Sequence, residues 1–125
     1  MTKKTIVFAD DDEFVREFVS KCIRKYLPEV SLEICKDGIS LEKRLQQGAK
    51  GINLILTDNQ MPCIDGSEII KKYARSLEKI PFILYYGGEN EIGEQAVKDG
   101  AFAYALKGSG SSKMIELIKK ALTIE

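Results

Sequence analysis

The stretch TIVFADDD, residues 5–12, contains the pattern that decides the fold of this chain. The apolar run from Ile6 to Ala9 is short enough for a strand buried on both faces, and three aspartates follow it at once. Behind them, apolar residues recur at spacings of three and four from Phe14 to Tyr26, which predicts one apolar stripe along a helix that ends before Pro28. A short strand followed by an amphipathic helix is therefore the first structural unit.

The same unit recurs four more times in the sequence. Strands are predicted at residues 31–35, 52–56, 82–86 and 102–106, and helices at 38–47, 69–77, 89–98 and from Ser111 or Ser112, one of which should cap the last helix. Because parallel strands need crossovers that cover the sheet, five units predict an open, doubly wound parallel α/β sheet with helices on both faces. We expect residues 1–125 to form this one domain.

Composition excludes several classes of function. The 19 basic and 19 acidic side chains cancel, so bulk charge does not indicate binding to nucleic acid. Histidine is absent, which leaves oxygen ligands and hard cations as the available metal chemistry. The three cysteines form no disulfide or zinc pattern, which predicts a reduced, cytoplasmic protein. No apolar run approaches the roughly 20 residues that span a bilayer, so no membrane insertion is expected.

Charged residues stand where three of the predicted strands end: Asp10 and Asp11, Asp58, and Lys107. In open doubly wound sheets, ligands bind beyond these carboxyl ends. Clustered carboxylates repel one another unless a cation neutralises them, and oxygen ligands favour Mg²⁺. A lysine opposite them would repel a bare cation but suits an anion such as phosphate bound to it. Asp12, by contrast, is expected to cap the helix that follows.

Three segments, residues 7–11, 58–66 and 100–107, carry a resemblance to a known family. In this order and at these intervals they resemble the receiver domain of two-component response regulators, and the resemblance covers essentially the whole chain. It implies a flavodoxin-like (βα)5 fold with the strand order 2-1-3-4-5.

The resemblance also implies a role for each site residue. Asp58 would take a phosphoryl group from the phosphohistidine of a sensor kinase. Asp11, Asp58 and the backbone carbonyl of Gln60 would bind Mg²⁺ directly, Asp10 would act through a metal-bound water, and Lys107 would contact the phosphoryl oxygens. Apart from accepting and slowly losing its own phosphoryl group, the chain is not expected to be an enzyme.

The resemblance further implies partners. A sensor histidine kinase or a phosphotransfer protein would supply the phosphoryl group, and a downstream protein would dock on residues 89–122. If the chain is complete, it is expected to signal by such docking, without contacting nucleic acid directly.

Two positions depart from the family pattern. Tyr86 stands where the family has a small hydroxyl residue, Thr or Ser, that couples to an aromatic residue of the fifth strand, here Tyr104. We therefore expect Asp58 to accept phosphate but the conformational readout to be altered. Gly108 replaces a proline that follows a cis peptide bond. Because a cis bond before a non-proline residue costs about 2.5 to 4 kcal/mol, a trans bond and a looser placement of Lys107 are expected.

Two other functions remain alternatives at this point. The chain could be a receiver-like module that binds partners regardless of phosphorylation, as the changes at Tyr86 and Gly108 would allow. It could also be an aspartate-dependent phosphatase with Asp10 as the nucleophile. Phe14 disfavours that second alternative, because the phosphatase pattern has Thr at this position.

Overall fold

A parallel β-sheet of five strands lies at the centre of residues 3–123, the part of the chain that our computed structural model describes. Every pair of neighbouring strands is parallel, and the order is β2-β1-β3-β4-β5, as the family resemblance implies. The strands are β1 (Thr5–Ala9), β2 (Ser31–Cys35), β3 (Leu54–Thr57), β4 (Phe82–Tyr86) and β5 (Ala103–Leu106).

A helix follows each strand, which confirms the doubly wound α/β fold. The helices are α1 (Glu13–Tyr26), α2 (Gly38–Gln46), α3 (Gly66–Tyr73), α4 (Asn90–Lys98) and α5 (Ser111–Leu122), with a single 3₁₀ turn at Lys107–Ser109 before α5. None of the helices within residues 3–123 combines the length and the apolar character needed to cross a membrane.

Two apolar clusters, one on each face of the sheet, hold the helices in place. Alternate residues of β4 point to opposite faces, so that Ile83 packs in the cluster with α1 and α5, whereas Leu84 packs in the cluster with α2, α3 and α4. All five residues of β4 are buried. Fully burying one large apolar side chain contributes about 1.5 to 3 kcal/mol, so this interior strand is firmly fixed.

Helix α1 differs from its predicted apolar stripe. Val19 and Ile23 are buried in the core, but Phe14, Phe18 and Tyr26 are 83%, 53% and 51% exposed. Their spacing places these five residues on one side of the helix. The part of α1 that α5 and the sheet cover is narrower than that side, so the residues at its margins are exposed. Asp12 caps α1 as predicted: its carboxylate accepts hydrogen bonds from the amides of Phe14 (2.8 Å) and Val15 (3.2 Å).

Several boundaries differ from the sequence-based expectation; α3, for example, ends at Tyr73 instead of residue 77. Strand β3 begins at Leu54 instead of residue 52, because the side chain of Asn53 accepts a hydrogen bond from the Thr5 amide at 2.7 Å, in place of a regular ladder bond. Neither Ser111 nor Ser112 caps α5. Its N-cap is Gly110, without a side-chain hydrogen bond, because the 3₁₀ turn before it brings the chain into α5 at φ +88°.

Candidate functional site

The three predicted carboxylates meet at the carboxyl edge of the sheet. Asp10 and Asp11 follow β1, Asp58 follows the adjacent strand β3, and the Asp58 amide donates to the Ala9 carbonyl at 2.9 Å. Carboxylate oxygens of Asp10, Asp11 and Asp58 all lie within 4.8 Å of one another. Asp10 and Asp58 are buried and Asp11 is exposed, so the acidic cluster opens to solvent on one side.

Lys107 reaches the acidic cluster from beyond β5. Its Nζ lies 2.8 Å from Oδ2 of Asp10 and 3.2 Å from Oδ1 of Asp58. Burial lowers the pKa of Lys107, but the hydrogen bond to Asp10 and the negative charges of Asp58 and Asp10 outweigh burial, and the net pKa is raised. The ammonium group therefore stays charged at neutral pH and lies between two carboxylates.

Asp58 is held in an environment that disfavours its charge. Burial raises the pKa of the Asp58 carboxyl, the charge of Asp10 raises it further, and Lys107 opposes both without reversing the shift. Such a carboxylate gains from any added positive charge at the site.

The donor set of the acidic cluster suits a hard divalent cation. Three carboxylates supply oxygen ligands, and the cluster contains no nitrogen or sulfur ligand. Mg²⁺ binds through one or two carboxylates while it keeps several waters, and the exposed side at Asp11 leaves room for them. Gln60 lies two residues beyond Asp58 in the β3–α3 loop, and the role of its backbone carbonyl in binding a metal stays a prediction.

Close backbone packing fixes the loop that carries Asp58. The Gly66 amide donates to the Asn59 carbonyl at 2.8 Å, and any Cβ at Gly66 would overlap the Asp58 carbonyl oxygen. Asn59 also accepts from the Ser67 amide at 2.9 Å, and the Thr57 hydroxyl donates to the Asp58 carbonyl at 2.8 Å. Gly66 is therefore needed for this turn, whereas the roles of Thr57 and Asn59 have no signal in the sequence beyond their positions beside Asp58.

Tyr86 does not point its hydroxyl at the acidic cluster. The side chain is completely buried on the face of the sheet that α2, α3 and α4 cover. Its hydroxyl donates a hydrogen bond to the Glu89 carbonyl, just before α4, and accepts one from the Gly93 amide at 2.8 Å, in the first turn of α4. Burial raises the pKa of this hydroxyl, which keeps it protonated and able to donate.

Tyr104 lies next to Tyr86 and closer to the protein surface. The two ring centroids are 6.3 Å apart, and the Tyr104 hydroxyl lies 3.2 Å from Oδ1 of Asn90 in α4. The ring passes so close to Gly93 that any Cβ there would overlap it. Tyr86, Gly93 and Tyr104 thus form an interlocked group, which we call the β4–α4 anchor.

The segment after Lys107 follows the trans path that its sequence predicts. No peptide bond within residues 3–123 is cis. The Gly110 amide donates to the Lys107 carbonyl at 3.1 Å, and the Tyr85 hydroxyl lies 3.4 Å from the Gly110 carbonyl, a long hydrogen bond from β4. The sequence does not predict this contact of Tyr85, because nothing in it distinguishes Tyr85 from the other buried residues of its strand.

Comparison with known proteins agrees with this geometry. The family model of the response regulator receiver domain matches residues 6–119. The uncharacterized transcriptional regulatory protein YesN of Bacillus subtilis is 32% identical over 71 residues, which are 56% of this chain but only 19% of YesN. The chain therefore matches only a small part of that longer relative.

Solved structures show the same fold. A response regulator receiver domain protein from Clostridium thermocellum superposes with a TM-score of 0.85 at 18% identity, covering 96% of this chain and 94% of its own. The response regulator protein TrrA from Thermotoga maritima, in complex with Mg²⁺-BeF, gives a TM-score of 0.82 at 21% identity, covering 95% and 99%. With the family match over residues 6–119, these findings establish that the chain belongs to the response regulator receiver domain family.

Proposed function

We propose that this domain is a phosphoacceptor of two-component signalling, working in the cytoplasm, and that Asp58 is the acceptor. The observation that carries the proposal is the Lys107 ammonium, which lies 2.8 Å from Asp10 and 3.2 Å from Asp58 at the edge of a three-carboxylate cluster. A lysine beside the carboxylates would repel a cation bound alone, but Lys107 and a bound cation together would place positive charge on both sides of an incoming phosphoryl group.

The proposed step transfers a phosphoryl group from a phosphohistidine of a sensor kinase or phosphotransfer protein. A carboxylate oxygen of Asp58 attacks the phosphorus, the P–N bond breaks, and its electron pair returns to the imidazole nitrogen, which takes a proton from water. Lys107 contacts the phosphoryl oxygens and neutralises part of their charge. Positioning and charge neutralisation supply most of the catalysis of such transfers, so the domain needs no general base.

A divalent cation, Mg²⁺, is part of the proposal. Asp11, Asp58 and the Gln60 carbonyl would hold it, with Asp10 acting through a water, and when bound it would offset the charge of the carboxylates and the phosphoryl oxygens. The similar TrrA protein was solved in complex with Mg²⁺-BeF, which supports the choice of Mg²⁺ as the cation. The domain catalyses only its own phosphorylation and the slow loss of that group.

The proposed output is a change in protein binding, with a downstream protein docking on residues 89–122. The readout differs from the family pattern, because the Tyr86 hydroxyl is already bound to Glu89 and Gly93 and is not free to contact a phosphoryl oxygen. The same observation favours one alternative function, a module whose partners bind whether or not Asp58 is phosphorylated. Partner affinity that does not change upon phosphorylation of Asp58 would support the alternative.

Intact mass after incubation with a small-molecule phosphodonor and Mg²⁺ tests the acceptor. We expect one added phosphoryl group in the wild type and in the control Asp99→Asn, a carboxylate at the end of α4, and none in Asp58→Asn. Borohydride reduction of the acyl phosphate, followed by peptide mapping, locates the modified residue. Modification at Asp10 would instead support the phosphatase alternative, and a wild type without any adduct would contradict the proposal.

A further inference from the structure

The β4–α4 anchor leaves little freedom at the start of α4. The Tyr86 ring is completely buried, and its hydroxyl binds the backbone of Glu89 and Gly93. Tyr104 lies over Gly93 without space for a Cβ between them, and its hydroxyl contacts Asn90. Any movement of α4 relative to β4 and β5 would have to break these contacts together, so a signal that arises at the acidic cluster meets a high energy cost on this route.

The segment Lys107–Gly110, which we call the β5–α5 link, is by contrast exposed after Lys107 and makes few contacts there. Gly108, Ser109 and Gly110 are exposed, and a Cβ at Gly108 or Gly110 would meet no atom within 4 Å. Within residues 3–123, the one side-chain hydrogen bond that reaches these three residues from another element is the long one from Tyr85, at 3.4 Å. The link can therefore change shape without disturbing the core.

Lys107 connects this link to the acidic cluster. Its ammonium is bound to Asp10 and Asp58, the two buried carboxylates that a cation and a phosphoryl group would also engage. A divalent cation repels the ammonium, and a phosphoryl group on Asp58 replaces the carboxylate oxygen that the ammonium contacts with larger, more charged oxygens. Occupancy of the site must therefore change the position of Lys107, and with it the first residue of the link.

We infer that site occupancy in this domain is transmitted through the β5–α5 link to α5, and not through α4. The inference rests on the proposed function, since it requires that Asp58 be the group that is occupied. Beyond the link, α5 begins at Ser111 and packs through Met114 and Ile115 into the core that it shares with α1. A change in the link therefore reaches the face formed by α1 and α5.

Hydrogen exchange followed by mass spectrometry on the full chain tests the inference, with Mg²⁺ and beryllofluoride as the probe and Mg²⁺ alone as the reference. In the wild type, we expect exchange in peptides covering residues 107–112 to change, and exchange in residues 89–98 to stay the same. Tyr86→Phe removes only the hydroxyl, and loss of its hydrogen bonds should speed basal exchange in residues 89–98 by about 2- to 10-fold. In this variant, beryllofluoride should begin to affect residues 89–98 as well.

The ¹⁹F spectrum of bound beryllofluoride separates the two possible failures. If the wild type binds beryllofluoride but residues 89–98 respond as strongly as residues 107–112, the inference is wrong and the proposed function stands. If no bound signal is seen in the wild type, the proposed function fails and the inference fails with it. Asp58→Asn is the control, and it should show neither a bound signal nor any change in exchange.

Discussion

Replacing Asp58 with asparagine should stabilise the metal-free protein, although it destroys the acceptor. With an effective dielectric constant of about 20, two unit charges within 4.8 Å of each other repel by at least about 3.5 kcal/mol, and the buried Asp10 lies within that distance of Asp58. Attraction to Lys107 at 3.2 Å returns about 5 kcal/mol. Because repulsion and attraction largely offset each other, the cost of burying the Asp58 carboxylate, several kcal/mol for a buried ion, makes its charge unfavourable. Asp58→Asn should therefore raise the free energy of unfolding by about 1 to 3 kcal/mol.

The stabilising effect of Asp58→Asn should increase as the pH rises. Because the pKa of Asp58 is raised in the folded protein, the stability that this group contributes is complete below its unfolded pKa of about 4 and is lost as the pH rises through the folded value. The advantage of Asp58→Asn should therefore be smallest near pH 4 and largest at neutral pH. Urea unfolding followed by circular dichroism at several pH values measures it.

Mg²⁺ and a control variant complete this test. At about ten times its Kd, Mg²⁺ should stabilise the wild type by about 1.4 kcal/mol and Asp58→Asn by less. Asp37 caps α2, and the hydrogen bond from the Ser40 amide lowers its pKa, so Asp37→Asn should not gain stability at neutral pH. If Asp58→Asn unfolds at a lower urea concentration than the wild type at neutral pH, our reading of the acidic cluster is refuted.

Four further substitutions test local contacts in the fold and around the site. Gly93→Ala should destabilise the protein by about 1 to 3 kcal/mol in urea unfolding, despite the better helix propensity of Ala, and Tyr104→Ala in the same chain should relieve much of that loss. Asp12→Ala should lower the free energy of unfolding by about 0.5 to 2 kcal/mol through loss of the α1 cap. Gly66→Ala should slow phosphorylation of Asp58 by a phosphodonor, measured by intact mass, because the added Cβ displaces the Asp58 carbonyl.

The architecture could be predicted from the sequence because its signals are local. Short apolar runs such as residues 82–86 identify buried strands, and β4 has those same bounds in the structure. The resemblance supplied the order of the strands, since apolar periodicity says nothing about which strands are neighbours. The position of Asp10, Asp11 and Asp58 at one edge followed from parallel strands alone, and the structure brings these residues together.

What could not be predicted depends on contacts between residues distant in the sequence. The sequence shows that Tyr86 is too large for the position of a small hydroxyl residue, but not that its hydroxyl binds the backbone of α4. Helical spacing likewise placed Phe14 in the apolar stripe of α1, although it is 83% exposed, because spacing cannot show how wide a surface the neighbouring elements cover. The hydrogen bond from Tyr85 to Gly110 spans 25 positions and leaves no local pattern.

The β4–α4 anchor also restricts how such a domain can evolve. A threonine in place of Tyr86 would empty the volume of a buried aromatic ring, and losses of this kind cost about 3 kcal/mol or more. Gly93, for its part, cannot acquire a side chain without a loss of stability while Tyr104 lies over it. The three positions therefore constrain one another, and a single substitution that restores a small hydroxyl at position 86 would cost the protein much of its stability.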